Sequence, residues 1–168
     1  METQLTRSGL QNLVVDISGI EISDDPSEVV VTYSLGSCLG LVAYDPIVNV
    51  GGMVHCMLPM SKIDPEKAKA KPGMFVDTGI PKLLDELFKR GASKKNLVLK
   101  AAGCSKLLDN NNLFRIGERN YAVLRKLLWK NGLLLASESI GGTISRTLRM
   151  YMSNWEVTVA TAGKETAL

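Results

Sequence analysis

A cysteine that leaves a glycine turn, followed on the next extended stretch by the single histidine of the chain, supplies the residue types that thiol chemistry needs. The stretch reads Thr32-Tyr33-Ser34-Leu35-Gly36-Ser37-Cys38, continues through an apolar run at 39–44 and the turn Asp45-Pro46, and reaches Val50-Gly51-Gly52-Met53-Val54-His55. The reactive species is the thiolate, and with an ordinary pKa near 8.5 a free cysteine is only a few per cent ionised at pH 7. An imidazolium close by would raise that fraction, and His55 is the residue able to provide one. Such a thiolate would attack an acyl carbon, N–H groups of the Gly36-Ser37 turn would stabilise the oxyanion, and His55 would protonate the leaving group. Work on a side chain of another molecule requires Cys38 at the mouth of a cleft, so Cys38 and His55 are expected at the surface with the thiol pKa depressed. Spacing alone leaves the bland alternative open: a cysteine after a strand is commonly a small buried hydrophobe, and a histidine beside Met and Cys a satisfied core residue.

The rest of the composition narrows the classes. The chain has 168 residues, 45% of them hydrophobic, enough to bury one core without metal or disulfide support. A single domain over 1–168 is expected, with 1–10 and 164–168 frayed. Net charge is +3 and aromatics make up 5%, too little for the basic stripe and stacking platforms of a nucleic-acid binder. Three cysteines without repeated spacing make no disulfide framework, and the N-terminus lacks the apolar core of a signal peptide, which points to free thiols in the cytoplasm. No apolar run approaches the roughly 20 residues needed to cross a bilayer. Cys56 and Cys104 read as structural. A zinc site from Cys38, His55 and Cys104 would lack a Cys-x2-Cys anchor, so no metal and no cofactor is expected.

The elements that must hold the pair follow from the hydrophobic pattern. Residues 12–22 alternate as one strand, and Ser23-Asp24-Asp25-Pro26 turns the chain. Val29-Val30-Val31-Thr32-Tyr33 is β-branched at successive positions, a strand buried on both faces. The run at 39–44 fits a strand or a short helix equally. Gly51-Gly52 marks a bulge or a close approach, and 60–74 reads as a polar loop whose Lys67, Lys69 and Lys71 are either solvated or in contact with a partner. Ile80, Leu83, Leu84, Leu87 and Phe88 trace an amphipathic helix with Pro81 near its start, and Gly91 closes it. A strand at 97–102, a second long loop at 103–115, a helix on Ile116, Asn120, Val123, Leu124, Leu127 and Leu128, an apolar strand at 133–136, and alternating segments out to Gly163 complete the order. The fold class is α+β, a layered α/β/β domain with two helices packed on a mixed, largely antiparallel sheet.

Taken together, Thr32-x5-Cys38, the Leu35-Gly36-Ser37-Cys38 turn, Gly51-Gly52-x2-His55-x2-Leu58-Pro59, Pro72-Gly73-x3-Asp77-Thr78, Ile116-Gly117-x-Arg119-Asn120 and Gly141-Gly142 with Arg146 beyond resemble the CheD family of chemoreceptor glutamine deamidases. The resemblance spans 12–162. It implies a layered fold like that of a deamidating bacterial toxin, conversion of glutamines on methyl-accepting chemotaxis receptors to glutamates, and in some organisms binding to a CheC-type phosphatase. It carries the family's nucleophile onto Cys38, its histidine onto His55 and its third catalytic residue onto Thr32. A threonine hydroxyl there would accept from one imidazole nitrogen and leave the other facing sulfur. Cys104 departs from the small Gly or Ala usual in the family, and Ser139 stands where an acidic residue is expected. A regulator that binds a CheC-type phosphatase with little or no turnover, and a transamidase or esterase using the same acyl-enzyme, are the competing functions.

Overall fold

The computed structural model describes residues 9–106 and 115–168. Among these, the strands are β1 (Gln11–Val14), β2 (Ile20–Ser23), β3 (Glu28–Leu35), β4 (Leu39–Asp45), β5 (Val50–Cys56), β6 (Val98–Gly103), β7 (Ser137–Ile140), β8 (Arg146–Tyr151), β9 (Val157–Thr161) and β10 (Lys164–Ala167). The helices are α1 (Pro65–Ala70), α2 (Val76–Lys89) and α3 (Ile116–Lys130), with 3-10 turns at Ser61–Ile63 and Pro72–Met74. The strands form two mixed, mostly antiparallel sheets of five, a central one ordered β2-β5-β4-β6-β7 and an outer one ordered β1-β3-β8-β9-β10. Two parallel pairings interrupt the pattern, β1 with β3 and β6 with β7.

The period of two along β4 and β5 decides the layers. Leu39, Leu41 and Ala43 of β4, with Val54 and Cys56 of β5, face a helix-side core completed by Ile80, Leu83, Leu87, Leu124 and Leu128. The alternate residues Val42, Tyr44 and Met53 face the outer sheet and pack on Val30, Leu35, Leu148 and Met150. A side chain of this kind contributes about 1.5–3 kcal/mol when fully buried. The central sheet is therefore clamped from both faces, which gives the expected α/β/β layering.

Several expectations change in detail. The alternating stretch 12–22 is two strands in different sheets, because Ser18 takes the left-handed region at φ 67 and Gly19 N–H closes a turn on the Asp16 carbonyl. The run 39–44 lies in β4, buried throughout. Gly51 and Gly52 are places of close approach: a Cβ would lie 2.9 Å from the Trp155 ring and 2.6 Å from Ile22 Cδ1. Residues 60–74 are no loop but two 3-10 turns flanking α1. The Asp64 side chain caps α1 by accepting from Lys67 N–H, and Asp77 accepts from the Ser61 N–H and hydroxyl, both at 2.8 Å. The first long helix starts at Val76, a turn earlier than its apolar stripe suggests, which puts Pro81 in its second turn. Leu133 is buried and Leu134 87% exposed, so 133–136 is a connector, and the strand follows at β7. The C-terminal residues expected to fray form β10, which pairs with β9 from Lys164↔Thr161 to Ala167↔Thr158. Of the termini and loops, residues 1–8 and most of the stretch expected as the second long loop lie outside the described residues.

Candidate active site

The β4–β5 register brings the sequence candidates together. Gly40 pairs with His55 and Leu39 with Cys56, so Cys38 stands diagonal to His55 where the two strands part. Alternation puts both side chains on the face toward the outer sheet, and Cys38 packs at the edge of that inter-sheet core. Gly40 lets the outer sheet pack close beside them: a Cβ there would lie 2.7 Å from Leu35 Cδ1 and 3.0 Å from Leu148 Cδ2.

Thr32 reaches His55 from the other sheet. β3 shifts register between Thr32 and Leu35, with Ser34 at φ 58, so Thr32 is fully buried while Tyr33 and Ser34 are exposed. The Thr32 hydroxyl donates to the Val15 carbonyl at 2.7 Å, and its oxygen lies 2.7 Å from His55 Nδ1. With its proton committed to Val15, Thr32 Oγ1 can only accept, which places the imidazole proton on Nδ1. Nε2 is left as a free acceptor, buried and without a hydrogen-bond partner among the described residues.

The electrostatics overturn two expectations. His55 is 1% exposed, not a surface residue. Burial pushes its pKa down to about 4, with the Asp16 carboxylate pulling weakly the other way, so the ring is neutral at pH 7. Cys38 is half-buried, and burial raises its thiol above the ordinary value although its own backbone N–H favours the thiolate. The thiol and the imidazole are thus both neutral, with no hydrogen bond between them and no preformed ion pair, and the depressed thiol pKa expected from sequence is reversed. Cys56 and Cys104 are buried, their thiols pushed further up, Cys104 to about 12.

All three carbonyls of the turn before β4 are tied down. Ser105 N–H donates to Gly36 O at 2.8 Å, Asn120 Nδ2 to Ser37 O at 3.0 Å and Cys104 N–H to Cys38 O at 2.8 Å. In a trans peptide C=O and N–H point in opposite directions, so anchoring Gly36 O and Ser37 O to the body turns the N–H groups of Ser37 and Cys38 away from it. Arg146 braces the anchor from behind. Buried, it donates to Ser105 Oγ at 2.7 Å, Ser139 Oγ at 3.0 Å, Gly141 O at 2.8 Å and Gly103 O at 3.4 Å. Ser139, where a carboxylate was expected, therefore receives the guanidinium through a neutral oxygen. Sequence reasoning singled out neither Ser105 nor Asn120 as a site residue. The signal for Asn120 was a lone amide on the buried stripe Gly117, Asn120, Leu124 and Leu128 of α3.

Beside His55 a groove of about 430 Å³ is lined by Ile17, Ser18, Met57, Lys67, Ala70, Lys71 and Met74. Ser18 N–H donates to His55 O at 2.9 Å, and Met57 extends β5 opposite Cys38. The groove thus borders the end of β5 that carries His55. Lys67 and Lys71 supply its charge, whereas Lys69 is paired with Glu66 in solvent.

Comparison with known proteins identifies the family. The family model described as CheD chemotactic sensory transduction matches residues 57–161. The chain is 44% identical over 159 residues to the "Probable chemoreceptor glutamine deamidase CheD" of Solibacter usitatus, covering 95% of this chain and 94% of that protein. The chain belongs to the CheD family. Two further CheD proteins are 43% identical over 152 residues, in Syntrophus aciditrophicus (90% and 95% of the two chains), and 36% identical over 148 residues, in Methanococcus maripaludis (88% and 93%). The CheD family model begins after His55, but the Solibacter alignment leaves too few residues outside it to omit the stretch from Thr32 to His55. Among the described residues no helix is long and apolar enough to cross a membrane.

Proposed function

We propose that the chain, acting as one CheD-like domain, hydrolyses the carboxamide of particular glutamines on methyl-accepting chemoreceptors, releasing ammonia and leaving glutamate. The observation that carries this reading is the fixed tautomer of His55. Thr32 holds Nδ1–H, and Nε2 is left buried and without a hydrogen-bond partner among the described residues, an unused base one diagonal step from Cys38 across the β4–β5 pair. Because thiol and ring are both neutral at rest, Nε2 takes the thiol proton as sulfur attacks the carboxamide carbon. The amide oxygen becomes an oxyanion, for which the Ser37 and Cys38 N–H groups are the donors. The imidazolium so formed is stabilised by the Thr32 oxygen and by the charge of Asp16. It then protonates the departing nitrogen, ammonia leaves, and a Cys38 thioester remains. Water, deprotonated by Nε2, adds to the thioester, and collapse returns glutamate and the thiol. A neutral hydroxyl stabilises imidazolium less than a carboxylate would, which suits slow modification of a receptor.

The groove lined by Met57, Met74, Lys67 and Lys71 accommodates the receptor segment on one side of the target glutamine. The protein works in the cytoplasm, against the cytoplasmic part of its membrane-bound substrate. Binding to a CheC-type phosphatase is a further partner reading, tested by co-purification of the two proteins. Intact-mass measurement of a receptor fragment tests the function: incubation should add about one dalton per converted glutamine, with stoichiometric ammonia, and Cys38→Ala should reduce the rate by at least about 1,000-fold. Unchanged mass with the wild-type protein, or undiminished turnover by Cys38→Ala, overturns it.

A further inference from the structure

We infer that Asn120 is a positioning residue that sets the distance between the thiol and its base, a role that rests on the deamidase reading. Cys38 and Met57 sit where β4 and β5 diverge, one step beyond their last paired residues, Leu39 and Cys56. From here Met57 and Leu58 N–H turn away to donate to the Met74 carbonyl. Into this fork α3 inserts one side chain. Asn120 is fully buried, and its Nδ2 donates to Ser37 O at 3.0 Å and to Met57 O at 3.1 Å. The amide stands in for the missing rung of the ladder, with one hydrogen to the residue before Cys38 and one to the residue two beyond His55. Two facing carbonyls require a donor, so the orientation of the amide is set by chemistry and cannot be flipped.

Two further observations separate this from ordinary core filling. Asn120 Oδ1 is buried with no hydrogen-bond partner among the described residues. The bridge to the two carbonyls is therefore kept at the cost of one orphan acceptor, which leaves the amide oriented by its donors alone. The base of α3 also presses on the segment that holds the other two carbonyls of the turn: a Cβ on Gly117 would lie 2.6 Å from both the Cys104 and Ser105 carbonyl oxygens. Helix α3 and the 103–105 segment thus grip the nucleophile turn together. Of the two, only the Asn120 contact also grips the strand of the base.

The test compares Asn120→Leu, which keeps the branched shape and removes both the bridge and the orphan oxygen, with Asn120→Ser, which keeps one hydroxyl donor. Asn120→Leu should fold, melt several degrees below wild type because two buried carbonyls lose their donor, and lose about 10- to 100-fold in kcat per folded molecule with KM changed by less than about threefold. Asn120→Ser should fall between Leu and wild type. A second readout needs no receptor: the rate of Cys38 alkylation by iodoacetamide from pH 6 to 9. Parting the thiol from Nε2 should slow labelling of Cys38 below pH 8, whereas mere loosening of the core would speed it and expose Cys56 and Cys104 as well. Wild-type kcat in Asn120→Leu, faster labelling of all three thiols, or failure of Asn120→Leu to fold each overturns the assignment. Absence of deamidation by the wild-type protein would sink the functional reading and leave the alkylation result to decide the role of Asn120.

Discussion

Strand β4 is flanked by a buried polar group at each end, and the two are treated in opposite ways. At its C-terminal end Asp45 is fully buried and fully used: it accepts from Ile47 N–H at 2.9 Å, Val48 N–H at 3.4 Å and Ser93 N–H at 2.9 Å. Burial pushes its carboxyl up, but these donors outweigh it and hold the group below the ordinary range. At the N-terminal end, beside Cys38, the imidazole of His55 is buried with one nitrogen bound and the other left without a partner among the described residues. A buried polar atom without a partner costs about 1–3 kcal/mol. The saturated end staples a turn to the connection between α2 and β6, while the unsaturated end keeps back a proton acceptor. Exposure alone would not distinguish the two, since both groups are buried.

The sharpest way to break the contrast is through acid. His55 has an unfolded pKa of 6.5 and a folded one of about 4, so between these values the unfolded chain binds a proton that the folded one refuses. Its contribution to stability is fully present above about pH 6.5 and is lost as pH falls to about 4, a change of roughly 3 kcal/mol. Denaturant titrations at pH 7 and pH 4 should show this loss in wild type and less of it in His55→Gln. Equal losses would mean that the ring is solvated. Deamidation should hold its rate from pH 8 down to pH 6, since the neutral imidazole remains the base. A tenfold fall per pH unit over that range would instead indicate a free thiolate as the reactive form.

At the other end of β4, Asp45→Ala strips three backbone donors of their acceptor and should cost on the order of 3 kcal/mol in unfolding experiments while leaving the rate per folded molecule unchanged. Lost activity at full stability would show that the two ends are not independent. Thr32→Val keeps shape and β-branching but removes the partner of Nδ1, worth about 1.5–3 kcal/mol to a charged ring. Single-turnover rates should fall roughly 10- to 150-fold, and Thr32→Ser should lose far less. Equal rates for the two variants would make the site a plain Cys-His dyad. The smallest effect belongs to the groove: Lys67→Glu with Lys71→Glu should weaken receptor binding a few-fold at low salt and not at high salt, whereas Lys69→Glu should do nothing. Equal effects at all three lysines would place the contact elsewhere on α1.

The sequence made the candidate trio easier to read than its surroundings. Cys38, His55 and Thr32 stood out because reactive residue types are scarce here and the spacing around them resembles one family. Their ionisation did not stand out, because it depends on burial, and the inter-sheet position of His55 follows from a register that no local pattern reveals. The division of 12–22 into β1 and β2 turns on Ser18, a non-glycine residue at positive φ, where the alternating pattern runs straight through. The order in 60–74 rests on Asp77, a carboxylate that reaches back to Ser61 and carries no mark of that task in the sequence. Asn120 was visible as part of a helix and a motif, yet its partners lie 83 and 63 residues away. The apolar periodicity of α2 and the β-branched run of β3 depend on near neighbours alone, and those elements were legible.

A thiol held in its protonated form has one more consequence, which concerns survival between turnovers. Peroxides and stray electrophiles react with thiolates far faster than with thiols. An enzyme that kept Cys38 ionised would be exposed to oxidation while waiting for a receptor. Here sulfur is half-buried, its proton is retained, and the base that would remove it is itself uncharged. Hydrogen peroxide should therefore inactivate the protein slowly at pH 7 and increasingly fast as the pH rises toward the thiol pKa. On the proposed mechanism the thiol would lose its proton only as a carboxamide settles against the turn, so that the substrate itself would arm it.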